Sequence, residues 1–164
     1  MEVNEKLYVK ADEFFAQMKE SIAYDISNST GKKVRAKQIT KGYTYTKKLK
    51  NKMGRKGEVK VTITDFEEPR IYAAKFESVQ GTNFLSYEIE DFGDSIGVTY
   101  KEGFKGAGTL KNVNYKVMSF FYKRGSRKKA ERLLRAMEKF INDKKTNTEE
   151  AGETTGIEQQ ADNK

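Results

Sequence analysis

The chain has 164 residues, enough for one domain with a buried core, and carries 32 lysines and arginines against 24 acids, a formal charge of +8. It contains neither cysteine nor histidine. Disulfides, thiolate nucleophiles, thiolate metal sites and serine–histidine chemistry are therefore excluded, and any acid–base work falls to carboxylates, lysine or tyrosine.

Met1 to Val9 is charged, and no run approaches the ~18 apolar residues of a spanning helix. No signal peptide and no membrane span are expected, and the chain reads as cytoplasmic. EVNEKLYV (residues 2–9) alternates Val3, Leu7 and Val9 with polar residues, so it reads as a strand. Glu5 is out of pattern, because alternation puts it on the apolar side. Asp12 supplies a first-turn acid for a helix with Phe14, Phe15, Met18, Ile22 and Ile26 at helical spacing, stopped by Asn28 to Gly31. Residues 32–40 are expected to form a short second helix.

Five strand-like runs come next: GYTYTKKLK, EVKVTITDF, IYAAKFESV, FLSYEIEDF and IGVTYKE. Their links, around NKMGRKG, EEPR, QGTN and GDS, are short. Short links with clean alternation predict antiparallel neighbours that keep one face wet. EGFKGAGTLKN (102–112) is a glycine-rich stretch between strand and helix. It matches neither dinucleotide nor P-loop spacing and reads as a connector. Beyond it Leu110, Val113, Val117, Phe120 and Phe121 recur at helical period up to a break at Gly125-Ser126. Ala130, Leu133, Leu134, Met137, Phe140 and Ile141 then predict an amphipathic helix with its leucines inward. Glu131 lies four residues before Arg135, the spacing of a supporting ion pair. The last nineteen residues hold one isolated apolar side chain, Ile157, and read as a disordered acidic tail. The domain is thus expected over 1–145 and the tail over 146–164.

Net charge runs in blocks: −3 over residues 1–31, +11 over 32–60, −6 over 61–100 and +10 over 101–145. Folding is expected to bring the two basic blocks toward one surface. Within the second block, FYKRGSRKKAERLLR packs seven cations into fifteen positions. Its candidate basic face is Arg124, Arg127, Lys128, Arg132 and Arg135. The leucine stripe makes this primarily a core helix, with the cations solvated on its outside. Among the acids, Glu88 and Glu90 fall on the wet face of their strand, so only Glu5 is placed to enter an apolar space, and no catalytic residue is assigned.

A strand, a helical insert, five antiparallel strands and a long C-terminal helix is the α+β order of the helix-grip fold of the START-like, or SRPBCC, superfamily. YVKADEFFAQM, YDISNSTGKKVRAKQITKGYTYTK, EEPRIYAAKF, YEIED, VTYKE and MSFFYKRGSRKKAERLLRAMEKFI resemble a domain-of-unknown-function family of Gram-positive Firmicutes bacteria. The resemblance runs from about Met1 to Lys145. These motifs punctuate structure and bring no site residues with them. The superfamily implies a curved sheet of about six strands gripping the helix, with an apolar cavity between. The candidate lining from the strands is Tyr43, Tyr45, Val61, Tyr72, Phe76, Tyr87 and Tyr100. From the helix it is Val117, Phe121, Leu133 and Met137. Phenols add hydrogen-bonding tips to an apolar wall, which suits a small hydrophobic or amphipathic molecule. The leading expectation is non-catalytic binding of such a molecule, with no cofactor or metal implied. A basic module docking on nucleic acid or anionic membrane stands second. A cyclase- or hydratase-like enzyme that uses neither histidine nor cysteine stands third.

Overall fold

Period-two alternation becomes six antiparallel strands in the computed structural model, which describes residues 1–50, 56–106 and 127–147. They are β1 (Glu2–Leu7), β2 (Thr44–Lys50), β3 (Lys56–Glu67), β4 (Ile71–Ser78), β5 (Gly81–Asp91) and β6 (Ile96–Gly106). Helix α1 (Ala11–Thr30) and a 3-10 turn (Ala36–Gln38) separate β1 from β2. Helix α2 occupies residues 127–147, two residues past the expected boundary. The second helix expected over 32–40 is reduced to that 3-10 turn. With only Val34 and Ile39 as sizeable apolar residues, the segment has no helical stripe to bury. The first part of the glycine-rich stretch is also strand and not loop. Gly103 pairs with Phe84 and Gly106 with Gly81, so the ladder continues through the glycines. Residues 107–112 and the break at Gly125-Ser126 lie outside the described residues.

The strands lie in the order β1-β6-β5-β4-β3-β2. β1 and β2 are therefore opposite edges of one curved sheet, and the chain must cross the whole width between them. Five inter-strand gaps come to roughly 24 Å, and the 20 residues of α1 reach about 30 Å. The helix is long enough to make the crossing by itself. Its C-terminus is set by Gly31, which adopts a left-handed φ of 71° and donates its N–H to the Ser27 carbonyl at 2.9 Å. At the other end Glu13 accepts the N–H of Lys10 at 3.1 Å and so ties the first turn.

The core lies between the inner face of the sheet and the two helices. The sheet brings Val3, Leu7, Val61, Ile63, Ala74, Ile89, Ile96 and Val98 to it, all buried. α1 adds Phe14, Phe15, Met18 and Ile26, and α2 adds Ala130, Leu134 and Ile141. The pairing of β3 with β4 shifts between Ile63 and Asp65. Such a bulge bends its strand and offsets the alternation by one residue. Phe66 consequently joins Ile63 on the inner side, with its ring edge-on to Phe15 at 5.4 Å.

Polar contacts with the β1 edge fix the rotation of α2. Arg135 ion-pairs with Glu5, donates to the Lys6 carbonyl at 2.9 Å and reaches Glu138 at 3.1 Å. Glu138 accepts the Tyr8 N–H at 2.6 Å, and Asn142 donates to the Tyr8 carbonyl at 3.4 Å. At 100° per residue, positions 135, 138 and 142 form one flank, next to the buried stripe of 130, 134 and 141. Leu133 and Phe140 fall on the opposite flank. The inward placement expected of Leu133 is therefore corrected: it is 48% exposed, Phe140 is likewise exposed, and Leu134 takes the buried position. The ion pairing differs too. Glu131 pairs with Arg127 at 2.9 Å, while Arg135 turns to Glu5 and Glu138.

Candidate functional site: a tyrosine row on the inner face

Cross-strand register places Tyr72, Tyr87 and Tyr100 side by side on β4, β5 and β6. Phe66 extends the row onto β3, opposite Tyr72. Ring centroids are 6.3 Å apart from Phe66 to Tyr72, 6.2 Å from Tyr72 to Tyr87 and 5.1 Å from Tyr87 to Tyr100. Most of these contacts are edge-on or tilted, the arrangement aromatic quadrupoles favour. The result is an aromatic ridge running across four strands. The sequence shows each tyrosine on an inward position. Only the register shows that three of them meet, and only the bulge brings in Phe66, which sequence reasoning missed.

Tyr43, just before β2, and Tyr45 on it form a second pair, 6.5 Å apart. Tyr45 donates its hydroxyl to Asp25 of α1 at 2.8 Å, and Lys47 binds the same carboxylate. This three-residue knot fastens α1 to the edge strand. Val61 is buried beside Tyr45, and Phe76 and Met137 are half-buried against the core. Val117, Phe121 and Arg124 lie outside the described residues. Of the expected lining, then, the strand residues share one face, Met137 joins them from α2, and Leu133 does not.

The phenols differ in how they are satisfied. Tyr72 and Tyr87 are both buried, yet neither hydroxyl has a hydrogen-bond partner among the described residues. No fully enclosed side-chain polar atom there is left unpaired, so these two hydroxyls keep some accessible surface. Burial, helped by the charge of Asp25, pushes Tyr72 up to about 12. Burial, with Tyr72 and Glu102 nearby, raises Tyr87, and burial with the Asp25 hydrogen bond raises Tyr45. All three are neutral phenols at physiological pH. They can donate and accept hydrogen bonds, but they are poor bases.

Three surface hollows lie away from this row. One of about 500 Å³ involves Ala73, Phe84, Ser86 and Lys101 on the outer face of the sheet. One of about 560 Å³ lies between Glu5 and the α2 residues Lys128, Glu131, Arg132 and Arg135. One of about 420 Å³ lies between α1 and Ile141, Lys144 and Lys145. No group of three or more candidate metal-ligating side chains comes together among the described residues. Among them, too, no helix is long and apolar enough to cross a membrane.

Among the described residues, the cations of α2 and those of residues 32–48 do not gather on one surface. The cations of α2 lie by the β1 edge, while those of residues 32–48 lie at the β2 edge, the far side of the sheet. The strand order, with β1 and β2 at opposite edges, sets this separation. Within the candidate face on α2, Arg127 and Arg135 are engaged in ion pairs, and Lys128 and Arg132 are exposed.

Residues 1–123 match a family model described as a domain of unknown function, DUF3284. The chain belongs to the DUF3284 family. No curated protein matches it. Solved structures share the fold of this DUF3284 chain at low identity. Ara h 8.0201 is 10% identical with a TM-score of 0.59, over 87% of this chain and 97% of the other. A protein of unknown function from Staphylococcus aureus is 9% identical, also at 0.59, over 90% and 96%. A protein from Arthrobacter aurescens is 9% identical at 0.56, over 87% and 85%. At this identity the likeness concerns fold alone, and it agrees with the six-stranded curved sheet, the helix after the first strand and the C-terminal helix. The DUF3284 chain has the helix-grip fold.

Proposed function

We propose that this protein binds a small hydrophobic or amphipathic molecule between the inner face of the sheet and α2, and does no chemistry on it. One observation carries the reading. Two buried tyrosines, Tyr72 and Tyr87, present hydroxyls without partners among the described residues, in the middle of an aromatic ridge. Both hydroxyls keep some accessible surface, so they are open to a ligand or to water. An aromatic wall with two polar points suits a molecule with an apolar body and one or two polar atoms. The helix-grip fold supports this, since it sets a sheet face against a helix.

The non-catalytic part rests on the same phenols. Their raised pKa values leave them protonated, and no histidine or cysteine is there to act as base or nucleophile. Of the inner-face carboxylates, Glu5 and Asp25 are engaged in ion pairs, and Glu102 lies on the β6 face that carries Tyr100, with its charge near the neutral Tyr87 phenol. The basic-module reading gains nothing from α2, where two of the four described cations of the candidate face are neutralised internally.

Native mass spectrometry of protein purified from its own host tests the proposal. The expected result is a mass excess that denaturation releases and that falls in a Tyr72→Phe/Tyr87→Phe double variant. A bare protein mass, together with no change in tyrosine fluorescence on titration with apolar and amphipathic compounds, defeats the reading.

A further inference from the structure

One carboxylate on the inner face has no partner among the described residues. Glu102 follows Tyr100 by two residues on β6, so alternation sets it on the same face, and the register puts it directly opposite Leu85 of β5. It is half-buried. Tyr87 lies diagonally across from it, at the roughly 7–8 Å of such neighbours. Burial raises the Tyr87 phenol, and the nearby charge of Glu102 adds to the effect. On its other side Phe104 is the next residue of β6 on this face. The Phe104 ring leans over Gly81 of β5, where a Cβ would meet it at 2.9 Å. The carboxylate thus sits between the tyrosine row and a terminal phenylalanine.

No described cation is placed to neutralise it. On the inner face of the six strands the described side chains include one cation, Lys47, and it binds Asp25 at the β2 edge. That edge is four strand spacings from β6, about 19 Å. Lys101 and Lys105 alternate onto the outer face, where Lys101 binds Glu88. The Met1 amino group donates to the Glu102 backbone carbonyl at 2.6 Å. Neither a hydrogen bond nor an ion pair reaches the Glu102 carboxylate among the described residues. A half-buried charge is costly to leave unpaired, and the aromatic rings around this one favour a cation as well.

We propose that the molecule bound on the inner face carries a protonated amine, held by Glu102 and the Tyr87 hydroxyl, with its apolar body along the tyrosine row. This rests on the inner-face ligand proposed above and specifies its polar end. The carboxylate accepts one ammonium N–H and the neutral phenol of Tyr87 accepts another. The rings of Tyr100 and Phe104, on either side of Glu102, add cation–π attraction. The whole chain carries +8, so its general field draws anions and repels cations. A preference for a cation must therefore come from a local charge, and Glu102 supplies one.

Titration of the full chain with decylamine, decanol and decanoate, followed by tyrosine fluorescence at neutral pH and below their micellar range, tests it. The three share one apolar body and carry a positive, a neutral and a negative head. Decylamine should bind roughly tenfold tighter than decanol, the combined scale of a partly exposed ion pair and a cation–π contact, and decanoate should bind most weakly. Glu102→Gln should bring decylamine level with decanol and leave decanol unchanged, with a melting temperature within about 2 °C of wild type. Glu90→Gln removes an exposed acid from the outer face and should keep the full preference. Decanol binding with no preference for the amine would overturn the proposal and leave the inner-face ligand standing. A preference that survives Glu102→Gln, or that Glu90→Gln abolishes equally, would overturn it too. Binding of none of the three would defeat both readings.

Discussion

Replacing Leu134 and Leu133 separately by alanine isolates the rotation of α2, because the two residues are neighbours in sequence with the same side chain. Leu134 is fully buried in the stripe with Ala130 and Ile141, while Leu133 is 48% exposed on the far flank. Truncating a fully buried leucine costs its transfer free energy plus that of the cavity left behind, about 3–5 kcal/mol. Truncating Leu133 forfeits roughly half of the ~1.5–3 kcal/mol of a fully buried leucine and leaves a dent open to water, so about 1 kcal/mol is expected. Alanine is the better helix former, so local propensity does not confuse the comparison. For a domain of this size each kcal/mol shifts Tm by roughly 2–4 °C. Leu134→Ala should then melt roughly 6–20 °C below wild type and Leu133→Ala only about 2–4 °C below, on the same scale. Urea titrations followed by circular dichroism should give the same ranking in midpoint with similar slopes. Equal losses, or a larger loss at Leu133, would mean that α2 is rotated otherwise and that the flank opposite β1 faces the core.

A double-mutant cycle with Glu5→Gln and Arg135→Gln should show a coupling of about 0.5–1 kcal/mol, the scale of a partly exposed ion pair, and additive effects in urea would remove the β1–α2 latch. Glu13 titrates below its ordinary value of 4.5: burial alone would raise it, but the hydrogen bonds from Lys145 and the Lys10 N–H outweigh that. A depressed carboxyl stabilises the fold above its unfolded pKa, and this is lost as pH falls through the folded value. Wild type should therefore melt above Glu13→Gln at pH 7, by no more than about 1 kcal/mol, and the gap should close as pH drops below 4.5; a gap that widens in acid would refute the assignment. Deleting residues 148–164, the part of the expected 146–164 tail that follows α2, should change Tm by less than about 2 °C, and a larger drop would place Ile157 among the structural contacts.

Much of this protein was legible as a string. Alternation with period two named the strands and told which side chains share a face, because a strand has only two. It put Tyr72, Tyr87 and Tyr100 inward and Glu88 and Glu90 outward, and it set Glu5 on the inner side, where its pairing with Arg135 now explains the break in pattern. The helix stop at Gly31 was equally plain, since few residues but glycine accept that backbone. What the string could not contain was distance across the sheet. Local pattern says nothing of strand order, so it could not show that β1 lies beside β6, that three tyrosines fall on one rung, or that the cations of α2 and those of residues 32–48 lie at opposite edges of the sheet. The bulge that recruits Phe66 and the rotation that buries Leu134 instead of Leu133 depend on partners 8 and 129 residues away in the chain, such as Ala73 opposite Asp65 and the Lys6 carbonyl at Arg135. A helix with apolar residues at 130, 133, 134, 137, 140 and 141 offers more than one face to bury, and only hydrogen bonds to another element choose between them.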